Sequence, residues 1–245
     1  MEFNYNVRPY IVLNGVNSQT IPGLIISKLP PISKPLQRTL VETVDGRDGD
    51  IITPLGFAAY DKSLEIGLSY EYNIDDIIEF FNSSGKVVFS NEPDKYYYYA
   101  IYNQIDFEKL IRFKTATVTL HVQPFKYSDL ESERVFSLTM GEPETISVRN
   151  IGNIYSKPIL KITGAGTVNL YINSREILKI DFQHIGQQII IDSAKMNAYN
   201  AEGTLFLNRL VSGNYNEVIL KVGKNEITYT GSVSEIRIDN YTRWI

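Results

Sequence analysis

Residues 115–122 carry the clearest structural signal in the sequence, a strict alternation of apolar and polar side chains. Successive side chains of a β-strand point to opposite faces, so the pattern predicts a strand with one buried face. A shift of one residue in its pairing would put every apolar group in water, which fixes the register. Pro124 lacks a backbone N–H, and we expect the strand to end there. The apolar face carries Ala116, Val118, Leu120 and Val122; the polar face carries Thr115, Thr117, Thr119 and His121.

The segment Gln123–Tyr127 closes this predicted strand and leads into an acidic stretch. A length of 245 residues suits two domains of ordinary size. A hydrophobic fraction of 43% and a charged fraction of 21% are typical of folded globular proteins and not of disordered chains. We therefore predict an N-terminal domain over residues 1–128 and a C-terminal domain over residues 129–245.

The composition excludes several kinds of site. With no cysteine in the sequence, thiol nucleophiles, disulfides and cysteine-ligated metals are excluded. The two histidines, His121 and His184, fall in different predicted domains, so one chain cannot build a multi-histidine metal site. The net charge of −4 comes without a basic stripe, which argues against tight nucleic-acid binding. No apolar run is long enough to span a bilayer, and the N-terminus has no secretion signal, so we expect folding in a cytoplasm and no membrane insertion.

The first half is predicted to be an α+β unit, a β-sheet with one packed helix. Asn73 is a good N-cap, and the two aspartates that follow it suit the positive end of a helix dipole. Apolar residues at i, i+3, i+4 and i+7 then form one stripe for packing on a sheet. The stripe consists of Ile74, Ile77, Ile78 and Phe81. Strands are predicted at Tyr10–Leu13, Arg38–Val44, Ser63–Glu71, Lys86–Ser90, Lys95–Asn103 and Lys114–Val122.

A proline-rich segment lies between the first two of these strands. Its prolines favour an extended, poorly hydrogen-bonded path over the surface. The prolines are Pro22, Pro30, Pro31 and Pro35.

The second half is predicted to be a purely β unit. Short strands follow at roughly regular spacing without long helices between them, which indicates an antiparallel β-sandwich. Turns are expected at Gly164–Gly166, at Asn173–Ser174 and at Gly223–Asn225. The predicted strands are Ile159–Thr163, Thr167–Ile172, Glu176–Phe182, Gln187–Asp192, Val218–Val222, Glu226–Thr230 and Ser234–Tyr241.

The acidic turn at residues 45–50 is the main candidate for a metal site. An EF-hand loop needs oxygen ligands at positions one, three and five and a glutamate at position twelve. Here the aspartates fall at one, four and six, and the twelfth residue is Gly56, so a solvated hairpin tip is the better interpretation. The sequence contains no nucleophile elbow and no phosphate-binding loop. We therefore predict no enzyme activity, no cofactor and no metal. The turn consists of Asp45, Gly46, Arg47, Asp48, Gly49 and Asp50.

Tyr96–Tyr99 is the densest aromatic run in the sequence. On a strand, two of these rings face the core and two face outward. The outward pair could fill a protein interface or lie beneath the proline-rich segment, and both interpretations stay open. Sugar stacking is the weaker interpretation.

Several of these motifs, taken in order, resemble the distal tail protein (Dit) family of siphophages that infect Gram-positive bacteria. The turn Val44–Gly49 is similar to a glycine-arginine-aspartate-glycine turn of that family, although Asp45 stands where proline is expected. The resemblance covers nearly the whole chain. The other matching segments are Phe80–Asn82, Glu92–Tyr97, Gln123–Tyr127, Asn150–Asn153, Tyr155–Pro158, Ile191–Ser193, Arg237–Ile238 and Arg243–Trp244.

The resemblance implies a structural protein of the virion tail tip, assembled in the host cytoplasm. N-terminal domains of this family form a hexameric ring around a channel through which DNA passes. Galectin-like and carbohydrate-binding-module-like C-terminal domains project outward. The implied partners are the tail tube protein, a tail-tip protein related to tail-associated lysins, and receptor-binding proteins. On this basis the turn Asp45–Asp50 is the candidate channel or interface hairpin. The candidate inter-subunit arm carries Pro22, Pro30, Pro31 and Pro35.

An alternative function is host adhesion, with residues 129–245 binding cell-wall carbohydrate. Such modules usually expose aromatic rings in a groove, whereas the aromatic candidates here are scattered in sequence. They are Tyr171, Tyr199, Tyr215, Tyr229 and Trp244. A tip hydrolase is a third alternative, disfavoured by the scarcity of histidine and the lack of cysteine.

Overall fold

The computed structural model describes residues 8–128 and 133–245. Strand makes up 53% and helix 10% of the structure, which confirms a mainly β, α+β protein. The chain divides into two compact units, which among the described residues cover 8–128 and 133–244. Neither unit contains, in its described part, a helix long and apolar enough to cross a membrane.

The first unit is built on one curled antiparallel sheet with the strand order β2-β1-β7-β8-β9-β6-β3. Two further strands, β4 and β5, pair only with each other among the described residues and form a separate hairpin. The strands are β1 Ile11–Leu13, β2 Val16–Asn17, β3 Leu24–Lys28, β4 Gln37–Thr43, β5 Asp50–Phe57, β6 Tyr60–Leu68, β7 Ser84–Phe89, β8 Tyr96–Ala100 and β9 Thr115–Tyr127. A 3-10 helix covers Ser18–Thr20.

Two helices pack on this sheet, so the expectation of one helix is wrong. Helix α1 covers Ile74–Phe81 and begins as predicted, since the Asn73 side chain accepts a hydrogen bond from the Asp75 N–H. The predicted apolar stripe is only partly right, because Phe80 is buried and Ile78 is exposed. Helix α2, Phe107–Phe113, was not predicted; the Asp106 carboxylate caps it by accepting from the Lys109 N–H at 2.8 Å.

Strand β9 carries the alternation that opened the sequence analysis. Its four apolar residues are buried, and the register against β6 runs from Tyr60–Val122 to Gly67–Thr115, as the pattern requires. The prediction that Pro124 ends the strand is wrong, because β9 continues to Tyr127. Pro124 is tolerated because pairing with β6 has stopped at Val122. On the β8 side, residues 123–125 bulge opposite the single residue Tyr98, so no ladder donor is needed.

The second unit is an antiparallel β structure built around two long strands, β12 Ile159–Ile172 and β17 Gly223–Asp239. The other strands of its sheet are β10 Arg134–Ser137, β11 Thr145–Asn150, β13 Arg175–Asp181, β14 Gln187–Asp192, β15 Asn197–Tyr199 and β16 Val211–Gly213. A further short strand, β18 Arg243–Trp244, lies outside that sheet. Short 3-10 helices cover Asn208–Leu210 and Tyr215–Glu217. The predicted hairpin across Gly223–Asn225 is wrong, because those residues begin β17 and Val218–Val222 is not a strand.

The long strands bend in the middle, so each of them takes part in both layers of a sandwich. The first half of β12 pairs with β14 and with the end of β17, and its second half pairs with β13 and with the start of β17. The predicted turn at Gly164–Gly166 is therefore a bend within one strand. Glycine is required where the strands touch, because a Cβ on Gly231 would lie 2.3 Å from the Thr167 carbonyl oxygen.

Candidate assembly site: the projecting hairpin

The β4–β5 hairpin is the most unusual feature of the first unit. Its strands pair from Gln37–Phe57 to Thr43–Asp50, and nearly every residue is exposed or only half-buried. Its base is closed by the Ala58 N–H, which donates to the Leu36 carbonyl at 2.9 Å. The ring of Phe57 also meets that of Phe125, with centroids 5.5 Å apart. The base is thus anchored while the rest projects.

Much of the exposed surface of the hairpin is apolar. Val41 and Ile52 are cross-strand partners, so they share one face, and they are 52% and 63% exposed. A hairpin alone in water is marginally stable at best and normally needs cover on one face. Apolar side chains on such a ribbon therefore point to a covering partner. The other exposed apolar residues are Leu36, Leu40, Val44 and Leu55.

The tip of the hairpin is the turn predicted from the sequence. The Arg47 N–H donates to the Val44 carbonyl at 3.1 Å, and Gly46 and Gly49 have φ of +80° and +78°. Those backbone angles explain the glycines, as expected for a hairpin tip. Asp45, Asp48 and Asp50 are all exposed. Within the described residues, no group of three or more acidic or histidine side chains is arranged to hold a metal ion.

The proline-rich segment lies against its own unit and is only partly as predicted. Leu24–Lys28 is strand β3 and pairs with β6, so the expectation of a poorly hydrogen-bonded path is wrong for those residues. Pro30 and Pro35 are buried, whereas Pro22 and Pro31 are exposed.

Three side chains hold the carbonyl groups of residues 30–33, an arrangement that we call the carbonyl clasp. Asn91 donates to the Pro30 carbonyl at 3.2 Å, Lys62 to that of Pro31 at 2.8 Å, and Tyr60 to that of Ser33 at 3.4 Å. Because two successive prolines lack N–H groups, this stretch cannot join a sheet ladder, and side-chain donors replace the missing partners. The clasp therefore fixes the segment that leads into the hairpin.

A buried charge network lies next to the clasp at Lys62. Glu92 accepts from Lys126 at 2.7 Å and from the Tyr97 hydroxyl at 3.0 Å. The Lys126 and Glu92 side chains are only 10% and 14% exposed. The Lys62 ammonium lies over the rings of Tyr60, Phe89 and Tyr97, at 5.6, 5.6 and 5.1 Å from their centroids. Burial raises the pKa of the Tyr97 hydroxyl well above its usual range, and the nearby Tyr60 and Glu92 raise it further, so Tyr97 stays a donor.

The clasp lysine predicts a pH dependence of stability. Lys62 is 3% exposed, and burial lowers its pKa from 10.5 to about 8 although Glu92 opposes the change. Between these values the unfolded chain binds more protons than the folded one, so stability rises with pH. From pH 7 to 9.5, we expect the unfolding free energy of the native chain to rise by about 2 kcal/mol relative to that of Lys62→Met. Urea denaturation across that range measures it.

Lys28→Met is the matched control, because Lys28 is an exposed lysine that meets Glu65 at 3.5 Å. Its unfolding free energy should follow that of the native chain at each pH. If the native and Lys62→Met curves stay parallel, then the aromatic rings and Glu92 hold the ammonium charge against the effect of burial.

The remaining sequence candidates lie apart from the hairpin. His121 contacts Asp61, with Nδ1 and Oδ1 2.7 Å apart, and His184 is exposed in a loop. Tyr97 and Tyr99 face the core as predicted for two of the four tyrosines. Tyr96 and Tyr98 do not form an open platform, because their rings contact each other and that of Tyr127.

Three of the candidate tyrosines of the second unit have contacts within their own unit. Tyr229 is buried and donates to the Glu142 carbonyl at 3.1 Å, so its ring cannot stack on a sugar. Tyr215 packs against the core, and the Tyr199 ring lies 5.1 Å from that of Phe206 at a tilt of 38°. These positions give no specific support to carbohydrate binding.

Comparison with solved structures identifies the fold. The Dit protein of phage SPP1, described as a paradigm of the hub adsorption apparatus in phages that infect Gram-positive bacteria, superposes with a TM-score of 0.66 at 15% identity, over 94% of this chain and 98% of that chain. Two chains from the phage P2 baseplate in its activated conformation, one with Ca and one with Sr, give TM-scores of 0.49 at 12% and 11% identity. They cover 95% and 94% of this chain and 97% of each of those chains, a similarity too weak to carry an argument.

No protein-family model and no curated protein matches the sequence. The match in structure nevertheless spans both units, and it confirms in the fold the resemblance that the motifs indicated. The chain has the fold of the Dit protein of phage SPP1.

Proposed function

We propose that this protein is a structural component of a phage tail tip, located in the virion, and that it acts as a hub without catalysis. The observation that carries the proposal is a match over nearly the full length of both chains to a protein described as a hub adsorption apparatus. The projecting apolar hairpin supports it independently, since such a ribbon is expected to need a covering partner.

In this proposal the first unit forms a homohexameric ring with a central channel for DNA. A ring needs heterologous contacts that close, in which a surface of one copy meets a different surface of the next. The hub would join the tail tube protein to the tail-tip protein, and the second unit would be the peripheral attachment domain for receptor-binding proteins. The net charge of −4 suits a channel that DNA passes without binding.

The hairpin is a better candidate for the inter-subunit arm than the proline-rich segment. Residues 30–33 are held on their own unit by the carbonyl clasp, and Pro30 and Pro35 are buried. The hairpin strands pair only with each other among the described residues and keep their apolar side chains exposed. We therefore assign the reaching role to the hairpin and an anchoring role to the prolines.

The experiment that tests this function is native mass measurement with negative-stain imaging of the purified chain. The expected result is a six-fold ring with a central opening and a mass six times 27.9 kDa. A chain that stays monomeric both alone and after co-expression with its tail partners would contradict the proposed function.

A further inference from the structure

A groove of about 430 Å³ lies in the first unit between helix α1 and the edge of the sheet. The edge strand is β2, and its residue Val16, which lines the groove, is 47% exposed. We call this surface the edge groove. Its apolar lining consists of Leu13, Val16, Ile21, Pro22 and Phe80.

The charges at the edge groove are acidic. Its charged lining residues are Asp76 and Glu79 of α1. Helix α1 adds Asp75 and carries no basic residue. Within the described residues, neither Asp76 nor Glu79 meets a cation at salt-bridge distance. A partner that fills this groove is therefore expected to bring apolar groups together with positive charge.

Helix α2 of the same unit exposes a surface with that character. Phe113 is 65% exposed. Lys109 lies one turn before Phe113 on the same side of the helix, and Arg112 lies one turn beyond Lys109. Arg112 meets Glu108 at 2.8 Å, but both side chains are largely in water, so this contact is weak and can be exchanged for another. The remaining carboxylate, that of Asp106, caps the start of the helix. We call Lys109, Arg112 and Phe113 the basic face.

The edge groove and the basic face lie on opposite sides of α1. One flank of α1 lines the edge groove with Asp76 and Glu79. The other flank, with Ile78 and Phe81, lines a second pocket together with Phe107 of α2. Helix α1 therefore lies between the edge groove and α2. Two complementary surfaces on opposite sides of one unit can join copies head to tail, as a closed ring requires.

We propose that the basic face of one copy docks in the edge groove of the next copy. Phe113 enters between the apolar side chains of the groove, and the cations of the basic face meet Asp76 and Glu79 at its rim. An aromatic anchor with charges around it is the usual arrangement of a specific interface. This inference rests on the proposed function and adds to the hairpin a second contact that builds the ring.

Phe113→Ser tests the apolar part of the contact. We expect it to weaken association roughly thirtyfold, the loss typical of a central aromatic anchor. Native mass measurement over a dilution series gives the association constant. Ile111→Ser is the matched control, because Ile111 is also apolar and 40% exposed on α2 but points to nearly the opposite side of the helix. It should associate as the native chain does.

Charge reversal tests the polar part. Glu79→Lys should weaken association roughly tenfold, because it places like charges at the rim. Lys109→Glu should do the same, and combining the two changes should restore most of the loss. Glu79 lies beyond the first turn of α1, so its reversal leaves the acidic N-terminus of the helix intact. Glu65→Lys, a reversal at an exposed carboxylate of β6 outside the edge groove, should leave association unchanged.

The outcomes separate this contact from the proposed function. If the native chain forms a ring and a folded Phe113→Ser protein forms it equally well, the inference is wrong while the function stands. Weaker association of Phe113→Ser without recovery in the double charge variant would mean that Phe113 contacts a different surface, which also overturns the pairing. A chain that stays monomeric with its tail partners overturns the proposed function and this inference together.

Discussion

Glu92→Ala is expected to lower the unfolding free energy of the first unit by about 3–5 kcal/mol. The carboxylate lies within hydrogen-bonding distance of the Lys126 ammonium and the Tyr97 hydroxyl, at 2.7 and 3.0 Å. Removing it leaves a nearly buried cation without its counter-ion and takes one hydrogen-bond partner from the buried Tyr97 hydroxyl. Lys62 also loses the negative charge that opposes the lowering of its pKa. Urea denaturation followed by circular dichroism measures the change.

Two control variants distinguish this network from an ordinary ion pair. Glu65→Ala removes the carboxylate of an exposed pair at 3.5 Å from Lys28 and should cost less than about 1 kcal/mol. The double change Glu92→Leu with Lys126→Leu removes both charges and should cost less than Glu92→Ala alone, because no buried charge is left unpaired. A loss below about 1 kcal/mol for Glu92→Ala would mean that water reaches the network.

The sequence correctly predicted those structural elements that depend on neighbouring residues. Asn73 caps α1, the alternation of residues 115–122 gives β9 its buried face, and Asn91–Asp94 joins β7 to β8. In each case the determining residues are close together in the chain. The same is true of the hairpin tip, where Gly46 and Gly49 adopt positive φ.

The predictions that were wrong depend on residues far away in the sequence. Gly164–Gly166 looks like a turn, but β12 runs through it because β17 bends beside it at Gly231. Strand β9 continues through Pro124, because neither partner strand pairs with that residue and no backbone donor is required there. Helix α2 has a capping aspartate, Asp106, which could have indicated it, but seven residues are too few for a clear helical period.

The tip of the hairpin was predicted from the sequence, but the extent of the hairpin was not. Residues 45–50 were identified as a hairpin tip, whereas the length of the ribbon and its exposed apolar faces were not. Alternating apolar residues in a strand predict that a face is covered, but not whether the cover comes from the same chain or another copy. The carbonyl clasp was also missed, because Tyr60, Lys62 and Asn91 reach residues 30–33 from distant strands.

Replacing residues 39–54 with a short glycine-serine turn is expected to abolish ring assembly while leaving the first unit folded. Among the described residues the hairpin strands pair only with each other, so the sheet loses no ladder when they are removed. The base remains closed by the Ala58 N–H and the Leu36 carbonyl. Exposed ribbons of this kind add little to stability, so the unfolding free energy should stay within about 1 kcal/mol of the native value. Native mass measurement reports the assembly and urea denaturation the stability.

Point variants on opposite faces of the hairpin refine this result. Val41→Thr with Ile52→Thr keeps the β-branched shape that suits a strand but removes apolar surface, so the ring should dissociate at higher concentrations than the native ring does. Leu40→Thr lies on the other face, paired with Thr53, and should leave assembly close to native. A six-fold ring formed by the shortened chain would mean that the copies meet through the sheet edges. The apolar ribbon would then have to contact a different protein of the tail.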